Sequence, residues 1–123
     1  MFFVCHCAGD FLLQTEFQAT RKAGGLGRDL VARRALLSHV ATYMAIFVPA
    51  LIWIASRQPV GRVLGAGGVL LVTHLVQDDQ RLLTVYARRV KKTQAEPGTP
   101  LWIGIDQSAH VGWLFAAALV AAA

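Results

Sequence analysis

Charge is absent or nearly absent from three long windows of the chain. From Ala35 to Ser56, twenty-two residues pass without Asp, Glu, Lys or Arg, and from Leu101 to Ala123 the only formal charge is Asp106. About twenty apolar residues in helical conformation cross a hydrocarbon core of roughly 30 Å, so both windows predict spans. Val63 to Gln77 is uncharged for fifteen residues, enough for a third span if Arg62 snorkels at one end and the helix runs on past Asp78. Met1 to Thr15 carries only Asp10. It has neither the basic start nor the small-residue cleavage site of a secretory signal, which predicts a retained first helix. The expectation is an all-α fold, one membrane-embedded bundle of about four helices. Their bounds are roughly 1–20, 33–56, 61–80 and 101–122, in a single integral membrane domain over residues 1–123.

Composition supports that expectation. Of 123 residues 55% are hydrophobic and 15% charged, and the mean hydropathy is +0.49, a balance that leaves too little polar surface for a water-soluble globule. Twelve Lys and Arg against seven Asp and Glu give a net charge of +5. Alone, that excess points to nucleic acid or an anionic membrane; the hydropathy selects membrane lipids as partner and no nucleic acid. Basic residues crowd two connections, with Arg21, Lys22, Arg28, Arg33 and Arg34 in one and Arg81, Arg88, Arg89, Lys91 and Lys92 in the other. Only Arg57 and Arg62 lie in the connection between them. Lys and Arg favour cytoplasmic loops, so a multi-pass protein of the bacterial inner membrane with both termini outside is expected. Leu82, Leu83, Tyr86 and Val90 recur at helical spacing among the basic residues of the last connection. Such a stretch suits either a headgroup-facing amphipathic helix or a solvated helix end. Neither glycine cluster, Gly25-Leu-Gly27 or Gly65-Ala-Gly67, completes a phosphate-loop pattern.

The candidate chemistry lies with the histidines. His6, His39, His74 and His110 all fall inside predicted helices, and three have an aspartate four residues away: His6 with Asp10, His74 with Asp78, Asp106 with His110. Residues at i and i+4 share a helix face, and chance supplies roughly half of one such pair in this composition. A charged side chain inside a membrane costs roughly 2.5–3.5 kcal/mol, so three aspartates on three helices need a shared compensation. A divalent metal ion, zinc first among the candidates, supplies it through imidazole and carboxylate ligands. The expected ligands are His6, Asp10, His39, His74, Asp78, Asp106 and His110, with Gln14 and Gln107 orienting them through hydrogen bonds. The competing explanations are an ion network or proton path for the paired residues, and interhelical hydrogen bonding for His39, Gln14 and Gln107. Counted from the basic residues at 1.5 Å per residue, His39, Asp78 and Asp106 lie about 5–8 Å inside the cytoplasmic boundary. Cys5 and Cys7 suit small buried apolar positions better than ligation. Gly104, Ser108 and Gly112 form a small-residue ridge that predicts close helix packing.

The run His6-Cys-Ala-Gly-Asp10-Phe-Leu-Leu-Gln14-Thr15, followed by Lys22, Leu37-Ser-His39, His74-Leu-Val-Gln-Asp78 and Asp106-Gln-Ser-Ala-His110, resembles the bacterial integral membrane family catalogued as domain of unknown function 3307. The resemblance covers almost the whole chain and implies a small all-helical membrane domain without an assigned activity. The chain departs from the family after the third-helix aspartate, where it has Asp79 and Arg81. By analogy of fold alone, His and Asp borne on a compact bundle link such proteins to membrane-bound metal-dependent hydrolases and zinc phospholipases C. The functional expectation is a metal-dependent hydrolase of a lipid-linked phosphoester. Asp10 or Asp78 would take the proton of a metal-bound water, and Lys22, Arg34 and Arg81 would bind the phosphate. Two other classes stay open: a proton- or metal-ion-conducting element, and a structural membrane subunit.

Overall fold

A computed structural model describes all residues, 1–123, and contains helices and no strands. The elements are α1 (Phe2–Cys7) with a π-helical turn (Ala8–Leu12), α2 (Glu16–Arg21), α3 (Leu30–Ala55), α4 (Val60–Asp78), α5 (Arg81–Arg89) and α6 (Pro100–Ala122). Three of them, α3, α4 and α6, are long and apolar enough to cross a membrane. Their boundaries follow local chemistry. The Asp29 carboxylate accepts from the amides of Val31 and Ala32 to cap α3, and Thr99 caps α6 with Pro100 in its first turn. Gln80 takes the left-handed conformation, φ 62°, and turns the chain from α4 into α5.

The first predicted helix, roughly 1–20, is divided. Its hydrogen bonding shifts to a π pattern at Ala8 and stops at Leu13, and a new helix begins at Thr15, whose hydroxyl and Gln18 form a reciprocal capping box. The pieces nonetheless run antiparallel to α3 along most of its length. Phe2 packs on Phe47, His6 meets Tyr43, Asp10 meets His39, and Gln18 donates to Ser38. Met1 and Phe2 share a surface depression with Trp53, Ala121 and Ala122, so the two chain ends lie at the same end of the bundle.

Outward faces of the long helices are apolar, with Ile52, Trp53, Leu64, Val72, Phe115 and Leu119 all exposed, an arrangement that lipid accommodates and water does not. Inside, Phe2, Tyr43, Phe47, Ile54, Leu70 and Leu114 belong to a ten-residue apolar core that fills the half of the bundle nearest the termini. Close helix approach occurs at Gly65, where a Cβ would stand 3.0 Å from Val120 on α6. The expected ridge of Gly104, Ser108 and Gly112 does not pack. All three are exposed, and nothing lies within 4 Å of a Cβ built at Gly104 or Gly112, because α6 turns its Ala117/Ala121 face to α4 instead. Cys5 and Cys7 are free and half-buried, Cys5 against the apolar core.

At the opposite end Asp79 ties the α2–α3 loop to α4. Its carboxylate accepts from the Leu26 amide at 2.8 Å and from Arg81 at 2.6 and 3.0 Å, and its carbonyl accepts from Gly24. Burial alone would raise this carboxyl, but the Arg81 guanidinium and the Leu26 amide outweigh it and hold it below its ordinary value. A depressed folded-state pKa contributes stability that is present above the unfolded value of about 4 and is lost as pH falls through the folded one. The Leu26 amide should therefore lose hydrogen-exchange protection at acidic pH, and Asp79→Ala, which removes the acceptor, should remove that protection at neutral pH. Equal protection in parent and variant would show that the loop is held by other contacts.

Candidate metal centre

Five elements each present polar side chains to one buried point. α1 and its π turn bring His6 and Asp10, α2 ends at Lys22, α3 brings His39 and Tyr43, α4 brings His74, Gln77 and Asp78, and α6 brings Asp106, Gln107 and His110. The four histidines, Asp78 and Lys22 are all buried, and the Asp10 side chain is 5% exposed. Each i, i+4 pair turns one face inward: His6 with Asp10 at 3.5 Å, His74 with Asp78 at 3.2 Å, and His110 with Asp106 at 3.6 Å.

At the centre, four atoms that carry lone pairs converge. His39 Nε2 lies 2.9 Å from Asp78 Oδ2, 3.3 Å from Asp10 Oδ1 and 3.0 Å from His74 Nε2. His74 Nε2 lies 3.2 Å from Asp78 Oδ2 and 3.6 Å from Asp10 Oδ1. A neutral imidazole carries a single hydrogen, so two of them cannot serve all these contacts. Asp10 Oδ1 has no hydrogen-bond partner. Ligands held tetrahedrally at about 2.0–2.2 Å from one ion stand roughly 3.3–3.6 Å apart, close to the spacing here. The sets His39/His74/Asp78 and His6/Asp10/His74 each place ligand atoms within 4.8 Å of one another and could hold a metal ion.

The local charge also favours a cation. Asp78 sits in the last turn of α4, where the helix dipole is unfavourable to a carboxylate. Lys22 Nζ meets Asp78 Oδ2 at 2.8 Å, which leaves Asp10 as the second buried carboxylate with no Lys or Arg beside it. Around the centre, amides orient the imidazoles. Gln107 donates to Asp106 Oδ2 at 3.2 Å and accepts from His6 Nε2 at 3.0 Å, so His6 Nδ1 is left with its lone pair toward Asp10 and Tyr43. Gln14 satisfies its neighbours when its Oε1 faces Lys22 Nζ at 2.7 Å and His39 at 3.2 Å while its amide donates to the Asp10 carbonyl.

The structure thus gathers His6, Asp10, His39, His74, Asp78 and His110, with Gln14 and Gln107 beside them. It sets Asp106 apart. The Asp106 carboxylate lies on the Nδ1 side of His110, 19% exposed, in contact with Gln77 and Gln107. The three expected phosphate binders are dispersed: Lys22 is buried against Asp78, Arg81 is spent on Asp79, and Arg34 is exposed on α3. Two participants escaped the sequence reading. Tyr43 stacks flat on His74 with centroids 3.4 Å apart and bonds His6, while Gln77 contacts His110 Nδ1 and donates to the Asp106 carbonyl. Their signal was present, since Tyr43 follows His39 by four residues and Gln77 follows His74 by three.

Beside the centre, a cavity of about 790 Å³ opens between α4, α5 and α6, lined by Gln77, Leu83, Tyr86, Lys91, Ser108 and Trp113 among others. Gln77 is its link to the histidines, and the Gln77 Oε1 atom is buried without a hydrogen-bond partner. Among known proteins, the sequence model of the family described as "Protein of unknown function (DUF3307)" matches residues 1–123, the whole chain. No curated protein and no solved structure matches it.

Proposed function

The chain belongs to this family of unknown function, and on that premise we propose that it is a membrane-embedded, metal-dependent hydrolase of a lipid-linked phosphoester. The observation that carries the proposal is the convergence of His39 Nε2, His74 Nε2, Asp78 Oδ2 and the unpartnered Asp10 Oδ1 on one buried point. A divalent cation there, zinc by the nitrogen and oxygen donors, would offset the second carboxylate and, with one of the two carboxylates standing off, would supply a water of lowered pKa. Asp10 or Asp78, whichever is not engaged as a ligand, would take the proton as the water oxygen bonds to phosphorus, and the same proton would pass to the lipid alcohol as its P–O bond breaks.

The α4–α6 cavity supports a lipid-borne substrate. Its lining is mostly apolar, Lys91 stands at it as a cation, and Gln77 joins it to His110. The basic residues around α2, α3 and α5 favour a cytoplasmic position for this end of the bundle. An ion-conducting element would use the same groups, and the chain of nitrogens from His110 through His74 to His39, at 3.1 and 3.0 Å, suits proton relay. Continuation to the other side meets the ten-residue apolar core, and this closed half favours a one-sided site.

Detergent-purified protein loaded with Zn²⁺ should release phosphate or phosphoalcohol from a panel of phospholipids and polyprenyl phosphates without any gradient. Chelation should abolish turnover. Ser108→Trp, which fills the cavity, should lower turnover while leaving metal content unchanged. Absence of turnover from protein that retains metal, together with gradient-driven ion flux in proteoliposomes, would overturn hydrolysis and establish conduction.

A further inference from the structure

Each of the two inward carboxylates divides its oxygens between different histidines. Asp10 Oδ1 faces His39 and His74 at 3.3 and 3.6 Å, whereas Asp10 Oδ2 faces His6 Nδ1 at 3.5 Å and His110 Nε2 at 3.9 Å. Asp78 repeats the division, with Oδ2 toward His39 and His74 at 2.9 and 3.2 Å and Oδ1 toward His110 Nε2 at 3.5 Å. One cation on the His39/His74 side uses one oxygen of each carboxylate. The other two oxygens, with two further imidazole nitrogens, are left facing the α1/α6 side.

We propose that this centre binds two divalent cations, the second held by His6 and His110, with Asp10 and Asp78 bridging the pair. Resting on the metal site proposed above, it adds a second position to it. Three observations support the second position. His6 Nε2 is committed to Gln107, so the lone pair of Nδ1 is the one turned inward, toward the Tyr43 hydroxyl at 3.2 Å and Asp10 Oδ2 at 3.5 Å. His110 turns its Nδ1 outward to the Asp106 carbonyl at 3.1 Å and its Nε2 inward, where it meets His74 Nδ1 at 3.1 Å, Asp78 Oδ1 at 3.5 Å and Asp10 Oδ2 at 3.9 Å. His6 and Asp10 also belong to a ligand set of their own, which shares only His74 with the set His39, His74 and Asp78.

Charge sets a limit on the pair. Lys22 already serves Asp78, so two dications among two carboxylates exceed local neutrality and call for an anionic ligand between them. Hydroxide from water or a phosphate group has that charge, and paired ions roughly 3.5–4 Å apart are a recurrent device for clamping the oxygens of a phosphoryl group. The second position adjoins the cavity wall, because the other side of the His110 ring meets Gln77, which lines it.

The test is metal stoichiometry on the full chain in detergent, loaded with Mn²⁺ and desalted. Two Mn²⁺ per chain are expected, with the electron paramagnetic resonance spectrum of an exchange-coupled pair. A His6→Ala, His110→Ala variant should keep one, with the six-line spectrum of an isolated ion. One uncoupled Mn²⁺ in the parent, unchanged in the variant, would overturn the second position and leave the single-metal proposal standing. No bound Mn²⁺ in the parent would overturn both. Because stoichiometry and coupling are read on the parent protein, a variant that fails to fold does not remove the test.

Discussion

Asp78→Asn should cost the folded protein about 3–5 kcal/mol, the scale on which breaking one half of a buried ion pair destabilises a protein. Lys22 is the reason. Its ammonium is buried and bonds Asp78 Oδ2 at 2.8 Å. The neutral amide that replaces the carboxylate leaves the buried ammonium without a counter-charge, with the Gln14 amide oxygen as its remaining neighbour. Lys22→Met added to Asp78→Asn should restore a large part of the loss, because the stranded ammonium is then removed as well. Metal binding should stay absent in both variants, since Asp78 supplies a ligand oxygen and Lys22 does not. Thermal unfolding in detergent separates the outcomes. A double variant no more stable than Asp78→Asn alone would mean that Lys22 is not the charge left exposed by the substitution.

Gly25→Ala should destabilise the end of the bundle that carries the centre by about 1–3 kcal/mol, the usual range for a methyl forced into a filled space. A Cβ at Gly25 would stand 2.6 Å from Leu36 Cβ and 2.7 Å from the Ala32 carbonyl oxygen, atoms of α3 that cannot rotate away. The α2–α3 loop would lift, and Lys22, three residues earlier, would be drawn from Asp78. Gly24→Ala is the comparison. Nothing lies within 4 Å of a Cβ there, and its φ of +75° limits the cost to backbone strain. If the Gly25 variant unfolds at the parent's temperature and keeps the parent's metal content, the loop does not brace the centre.

The extent to which the centre could be read from the sequence depends on the range of the interaction. Three long apolar helices and the pairing of His6 with Asp10, His74 with Asp78 and His110 with Asp106 are local properties. An uncharged run of twenty residues has few foldings open to it in lipid, and i, i+4 geometry belongs to any α-helix. Those features were legible. The break in the first helix was written in Thr15 and Gln18, a capping box set where the apolar run gives way to polar residues from Gln14 onward.

What the sequence alone determined is therefore the set of helices and the residues sharing a face on each. Tertiary structure decided how each helix is rotated and how far it slides along its neighbours. That choice rests on contacts between residues far apart in the chain, such as Gly9 against the Tyr43 ring and Gly65 against Val120. Rotation of α6 turned His110 to the centre and left Asp106 at its edge, although both lie on one helix face. The fold of the α2–α3 loop carried Lys22 inward to Asp78, fifty-six residues away, where charge counting had placed it at the surface. A periodicity specifies a direction relative to its own helix axis; only packing supplies the direction in which that face meets the rest of the molecule.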